Sequence, residues 1–130
     1  MDLARLSLGL TATAFGGFGT WLLFRPDALS MVDVELPTAT ARAEIRAFYG
    51  GLELGIACFF AAAATRPAWF RPALVLQSAA LGGSALGRVF SMRTDPPVER
   101  AIPMLAALEA AGAVTGLAVL AASGRGARSA

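Results

Sequence analysis

Residues 44–64 read EIRAFYGGLELGIACFFAAAA and, after Thr65-Arg66-Pro67, residues 69–91 read WFRPALVLQSAALGGSALGRVFS. Each run is close to the roughly 20 residues a helix needs to cross about 30 Å of hydrocarbon. The turn between them is so short that the two helices must run antiparallel. Working outward, the stretch 4–24 closes on Trp21-Leu22-Leu23-Phe24-Arg25-Pro26, where an aromatic anchor, a charge and a helix breaker coincide. The stretch 99–122 follows the turn Asp95-Pro96-Pro97, and its Pro103 falls in the first turns, where a missing N–H costs least. The fold class is therefore all-α, a four-transmembrane-helix bundle with antiparallel neighbours at 4–24, 44–64, 69–91 and 99–122. Residues 1–122 form one membrane domain, and 123–130 form a polar, disordered tail. A cleaved signal peptide, with Arg5 as its charged region and Ala12-Thr13-Ala14 as its cleavage site, is the competing reading of the first run. The apolar run continues past Ala14, which favours a span.

Composition agrees. Of 130 residues 56% are hydrophobic and 15% charged, and mean hydropathy is +0.62, too apolar for a soluble domain of this size. The net charge of +2 comes from 11 basic residues, all of them Arg and scattered singly. That pattern reflects coding bias of a GC-rich bacterial genome and argues against nucleic acid as a partner. The chain has no His and a single cysteine, Cys58, in an apolar run. His-dependent catalysis, an internal disulfide and ordinary zinc sites are thereby excluded, and no metal, no cofactor and no catalytic residue is assigned.

The one long connection, 25–43, carries Asp27, Asp33 and Glu35 and has room for a short interfacial helix. Four spans put both termini on one side, together with Arg5, Arg66, Arg71, Arg125 and Arg128, against Arg25, Arg42, Arg93 and Arg100 opposite. The arginine bias places both termini in the cytoplasm and the chain in a bacterial inner (plasma) membrane as a multi-pass protein.

Charged side chains inside a membrane helix cost roughly 2.5–3.5 kcal/mol each near the centre, so those retained need partners or a watery cavity. Arg46, Tyr49 and Glu53 are spaced i, i+3, i+7, while Gln77, Ser84 and Arg88 are spaced i, i+7, i+11, so each set lines one helix face. With Glu109 on the fourth helix they define a polar pocket opening toward the 25–43 and 92–98 connections and floored by two carboxylates. Arg88 is the counter-ion, because a guanidinium binds a carboxylate through two parallel hydrogen bonds. Two readings of Glu53, Arg88 and Glu109 stay open: a structural ion-pair triad that fixes helix register, or a site for a polar head group, an ion or a proton. Gly51-x-x-x-Gly55, Gly83-x-x-x-Gly87 and Gly112-x-x-x-Gly116 are helix-packing faces. Trp21, Phe24, Trp69 and Phe70 read as interface anchors.

The residues Glu44-Ile45-Arg46-Ala47-Phe48-Tyr49-Gly50-Gly51 with Glu53, then Gly87-Arg88-Val89-Phe90-Ser91, then Glu109, carry a resemblance. Over residues 10–122 the chain resembles the small bacterial four-helix integral membrane family catalogued as a domain of unknown function, marked by E-x-R-x-x-Y-G-G and G-R-x-x-S. The resemblance implies four transmembrane helices, singles out Glu44, Arg46, Tyr49, Gly50, Gly51, Glu53, Gly87 and Arg88, and implies no reaction. In architecture alone the chain is also similar to membrane scaffolds that tether enzymes of sterol synthesis and to DoxX-like proteins.

Two functional expectations follow. One is an accessory or scaffold subunit of a larger membrane protein complex, from small size and small-residue helix faces. The other is a carrier or binding protein for a small polar, amphiphilic or protonated ligand, such as a lipid, held in the pocket. A lipid-acting enzyme using Glu53 or Glu109 as acid or base is less well supported, because no nucleophile, metal site or phosphate loop accompanies the carboxylates.

Overall fold

The computed structural model describes residues 2–126 and is all-helical, with no strand among them. Helix α1 (Leu3–Phe24) starts where the Asp2 carboxylate accepts a hydrogen bond from the Ala4 N–H at 3.0 Å. It stops at Arg25, because Pro26 has no N–H with which to continue it. The connection then holds a 3₁₀ helix, Pro26–Val32, the short helix expected of this segment. It ends on Asp33 at φ 59°, a left-handed conformation that short polar side chains tolerate.

Helix α2 (Ala39–Ala64) begins ahead of position 44, because the Thr38 hydroxyl caps it by accepting from the Ala41 N–H at 3.0 Å. It is α-helical at Ala39–Ile45 and Glu53–Ala64 and π-helical between, at Arg46–Leu52. A 3₁₀ turn, Pro67–Trp69, leads into α3 (Phe70–Thr94), and α4 (Ala101–Gly126) completes the chain. Four helices, Leu3–Phe24, Ala39–Ala64, Pro67–Thr94 and Ala101–Ser123, are long and apolar enough to cross a membrane. The polar tail expected over 123–130 is helical through Gly126, and its remainder lies outside the described residues.

The bundle is two antiparallel hairpins, α1 with α2 and α3 with α4, which pack closely inside each pair and more sparsely between pairs. The Thr65-Arg66 turn makes α2 and α3 antiparallel, yet their closest partners are α1 and α4. Within the first hairpin, backbones touch through two glycines. A Cβ on Gly19 would lie 3.0 Å from the Gly50 carbonyl oxygen, and one on Gly50 would lie 3.0 Å from the Leu23 Cα. Within the second, a Cβ on Gly116 would collide with the Ser78 hydroxyl and one on Gly112 with the Leu81 Cδ1 at 2.6 Å.

The buried core of Ala4, Leu8, Phe60, Ala63, Ala73, Leu74 and Val119 sits at the end that carries the termini and the α2–α3 turn. Phe15, Phe59 and Phe70 extend it, and Phe59 stacks on Trp69 at 5.8 Å between ring centroids. Arg66 lies over the Trp69 ring at 4.8 Å, a cation–π contact at the membrane-surface end of the helix. Outward-facing Leu10, Phe48, Leu86, Phe90, Leu108, Val114 and Leu117 are exposed. An apolar surface of this extent suits hydrocarbon, in which every helix satisfies its own backbone.

Replacing Gly19 by Leu is expected to overpack the α1–α2 contact and cost roughly 1–3 kcal/mol. Gly83, whose Cβ would meet nothing within 4 Å, should accept Leu with a change within about 0.5 kcal/mol. Thermal unfolding of both variants in the same detergent checks this, and equal stability would contradict the close helix approach.

Candidate functional site

Toward the opposite end, α3 and α4 are joined by one charged contact. Arg88 Nε donates to Glu109 Oε2 at 2.9 Å and Nη2 donates to Oε1 at 3.1 Å, a two-pronged pair of the kind planar guanidinium favours. The Ser84 hydroxyl, one turn before Arg88, donates to Oε1 at 2.8 Å. Both Glu109 oxygens are thus engaged, and the guanidinium plane is fixed. The side chains of Arg88 and Glu109 remain 29% and 17% exposed, so the pair borders open space.

That space is two adjoining cavities. The first, about 320 Å³, is enclosed by Phe18, Trp21 and Leu22 of α1, by Ala28, Leu29, Met31, Val32 and Val34 of the connection, by Ile45 and Tyr49 of α2, by Arg88, and by Ala101, Ile102, Met104 and Leu105 at the start of α4. Its wall is apolar apart from Arg88, the Tyr49 hydroxyl and the Trp21 N–H. The second, about 340 Å³, is lined by Tyr49, Ser84, Gly87, Arg88, Ser91, Val98 and Ile102. Tyr49, Arg88 and Ile102 belong to both, so polar and apolar chambers meet at the guanidinium. Volumes of this size fall at the lower end of the roughly 300–1,000 Å³ usual for small-molecule sites.

The other polar residues singled out in the sequence are distributed differently. Gln77 is fully buried nearer the core, where its amide exchanges hydrogen bonds with Ser7 (3.1 and 3.2 Å) and donates to the Gly112 carbonyl at 3.0 Å. It ties α1, α3 and α4 together and lines neither cavity. Arg46 is exposed, and its Nε donates to the Leu23 carbonyl at 3.1 Å. That carbonyl lies in the last turn of α1, which has no onward helical partner, so Arg46 caps α1. Arg46 and Tyr49 share an α-helical spacing, but the π segment Arg46–Leu52 adds about one residue to each turn and alters the face each occupies. Glu53 is half-buried against Gly19, lies within electrostatic range of Glu109, and makes no hydrogen bond or ion pair among the described residues.

Among the glycines, Gly112 and Gly116 stand in the α3–α4 contact, Gly51 faces only the Arg46 carbonyl at 3.7 Å, and Gly55, Gly83 and Gly87 face open space. The close contacts of the first hairpin use Gly19 and Gly50 instead. Trp21, in addition to its place near the end of α1, lines the apolar cavity. Sequence reasoning did not mark the connection residues 28–34 as cavity wall. The apolar residues Leu29, Met31, Val32 and Val34 among the acidic ones were the available signal.

Residues 3–120 match the family described as Domain of unknown function (DUF4345), and the chain belongs to it. No curated protein and no solved structure matches the chain.

Arg88→Met strips Glu109 of its cation and is expected to destabilise the bundle by roughly 1–3 kcal/mol, less than the 3–5 kcal/mol typical of fully buried pairs. The double substitution Arg88→Met with Glu109→Leu should recover most of that loss. Equilibrium unfolding in mixed micelles gives the coupling, and strictly additive effects would show that the contact contributes nothing.

Proposed function

We propose that this protein is a membrane binding protein that holds an amphiphile, with the ligand's chain in the apolar cavity and its polar head at Arg88. One observation carries this reading: a cavity of about 320 Å³ whose wall is apolar apart from Trp21, Tyr49 and one fixed guanidinium, at which it meets a more polar chamber. A structural ion pair alone needs no such space. The arrangement fits binding or carriage, in which orientation and apolar burial matter. In this reading the packed end, with Arg5, Arg66 and Arg71, faces the cytoplasm of a bacterial cell, and the cavity lies toward the other surface.

A second reading, an accessory subunit of a larger assembly, is favoured by the outward glycines Gly55 and Gly83, above which a neighbouring helix could approach closely. The two readings part on what is retained after gentle extraction. Native mass spectrometry of protein taken from its membrane into mild detergent should show roughly one bound amphiphile per chain. Ala101→Phe, which places a ring into the cavity wall, should remove it while leaving the protein folded. Recovery of a ligand-free chain bound to another membrane protein would instead support the subunit reading.

A further inference from the structure

Arg88 stands where the two chambers meet, and its hydrogen bonding limits the head group that can sit there. A guanidinium carries five N–H donors, and Nε together with one Nη2 hydrogen is occupied by Glu109, which leaves three without a partner among the described residues. The free donors include the end-on fork of Nη1 and Nη2, which presents two parallel N–H groups to an incoming oxygen. Tyr49 lines both chambers on the facing helix. The site therefore offers donors, and a ligand must bring acceptors.

Charge narrows the choice. The positive charge of Arg88 is already cancelled by Glu109, and Glu53, within range of Glu109, contributes either nothing or a further negative charge. Arg46 of α2 keeps its charge, but it is exposed at the end of α1, where it donates to the Leu23 carbonyl, and it lines neither chamber. The net charge of the site is thus zero or negative in either state of Glu53. An anionic head would add an uncompensated charge inside a low-dielectric bundle, and unpaired charge there costs several kcal/mol. A neutral carbonyl, ester or hydroxyl would use the free donors without that cost.

The mouth indicates the source. Met31 and Met104 line the cavity and are themselves 70% and 59% exposed, so the rim is made of flexible apolar side chains. Such a rim favours entry from the lipid phase over entry from water.

We infer that the ligand is an uncharged, acceptor-headed amphiphile drawn from the bilayer, its oxygen bound by the fork of Arg88 that Glu109 leaves free. This inference rests on the binding function proposed above and sharpens it to a class of head group. The test is competition among dodecanol, methyl dodecanoate and dodecanoate for the delipidated protein, at alkaline pH so that the acid is ionised, with bound species read by native mass spectrometry. The neutral probes should be retained about tenfold or more over dodecanoate. In Glu109→Gln the charge of Arg88 is released, and the preference should swing toward dodecanoate. Dodecanoate bound by the wild-type protein as well as the neutral probes would overturn the head-group inference and leave the binding function standing. Failure of all three probes to bind would overturn both. If Glu109→Gln does not fold, the wild-type preference decides alone.

Discussion

The Arg88–Glu109 contact sets the terms for the cavity half of this bundle. Either side chain alone would carry a penalty of roughly 2.5–3.5 kcal/mol near the middle of a membrane helix. Placed on adjacent antiparallel helices, with Ser84 completing the acceptor side, each becomes tolerable to the other. The pairing also immobilises a side chain that would otherwise sample many rotamers. What remains is a donor fork with a fixed direction, set at the boundary between an apolar and a polar chamber.

Packing explains why the chambers exist at all. The termini-bearing half is filled by Leu8, Phe60, Leu74 and their neighbours, and the buried Gln77 amide pins α1 to α3 and α4 just beyond it. The two hairpins have few contacts with one another. Space opens between them, and the 3₁₀ segment Pro26–Val32 folds over it with Leu29 buried inward. One end of the bundle thus provides rigidity, and the other provides volume. Larger side chains there would fill the hollow and add buried apolar area.

The four spans were legible because hydrophobic length is a property of composition, and the Arg88–Glu109 side of the site was legible because α3 and α4 are regular helices on which spacing gives the face. Where the backbone departs from the α period, the same reasoning fails. Arg46, Tyr49 and Glu53 would line one face of a continuous α-helix, whereas across the π segment at Arg46–Leu52 Arg46 and Glu53 front on α1, at Leu23 and Gly19, and Tyr49 stands at the cavity wall. Gln77 lies on the face of Ser84 and Arg88, but it stands nearly two turns from the first and about three from the second, nearer the core, and depth separates it from them. The apolar character of the first chamber was hidden for another reason. Its wall is drawn from five separate parts of the chain, and the attention drawn by charged residues in a membrane helix passes over Ile45, Ile102 and Leu105.

The stretch Glu44-Ile45-Arg46-Ala47-Phe48-Tyr49-Gly50-Gly51 then divides by task. Gly50 lets α2 come within contact distance of Leu23, and Arg46 takes the Leu23 carbonyl, so both act on the last turn of α1. They fix where α1 ends and where the connection over the cavity begins. Tyr49, between them, is the member of this group that reaches both chambers. A π turn is a costly way to build a helix, tolerated mostly where it re-aims a side chain at a functional site. Here the π segment carries both a glycine against α1 and a tyrosine that lines the two chambers with Arg88. The local backbone irregularity thus borders both the α1 contact and the cavity.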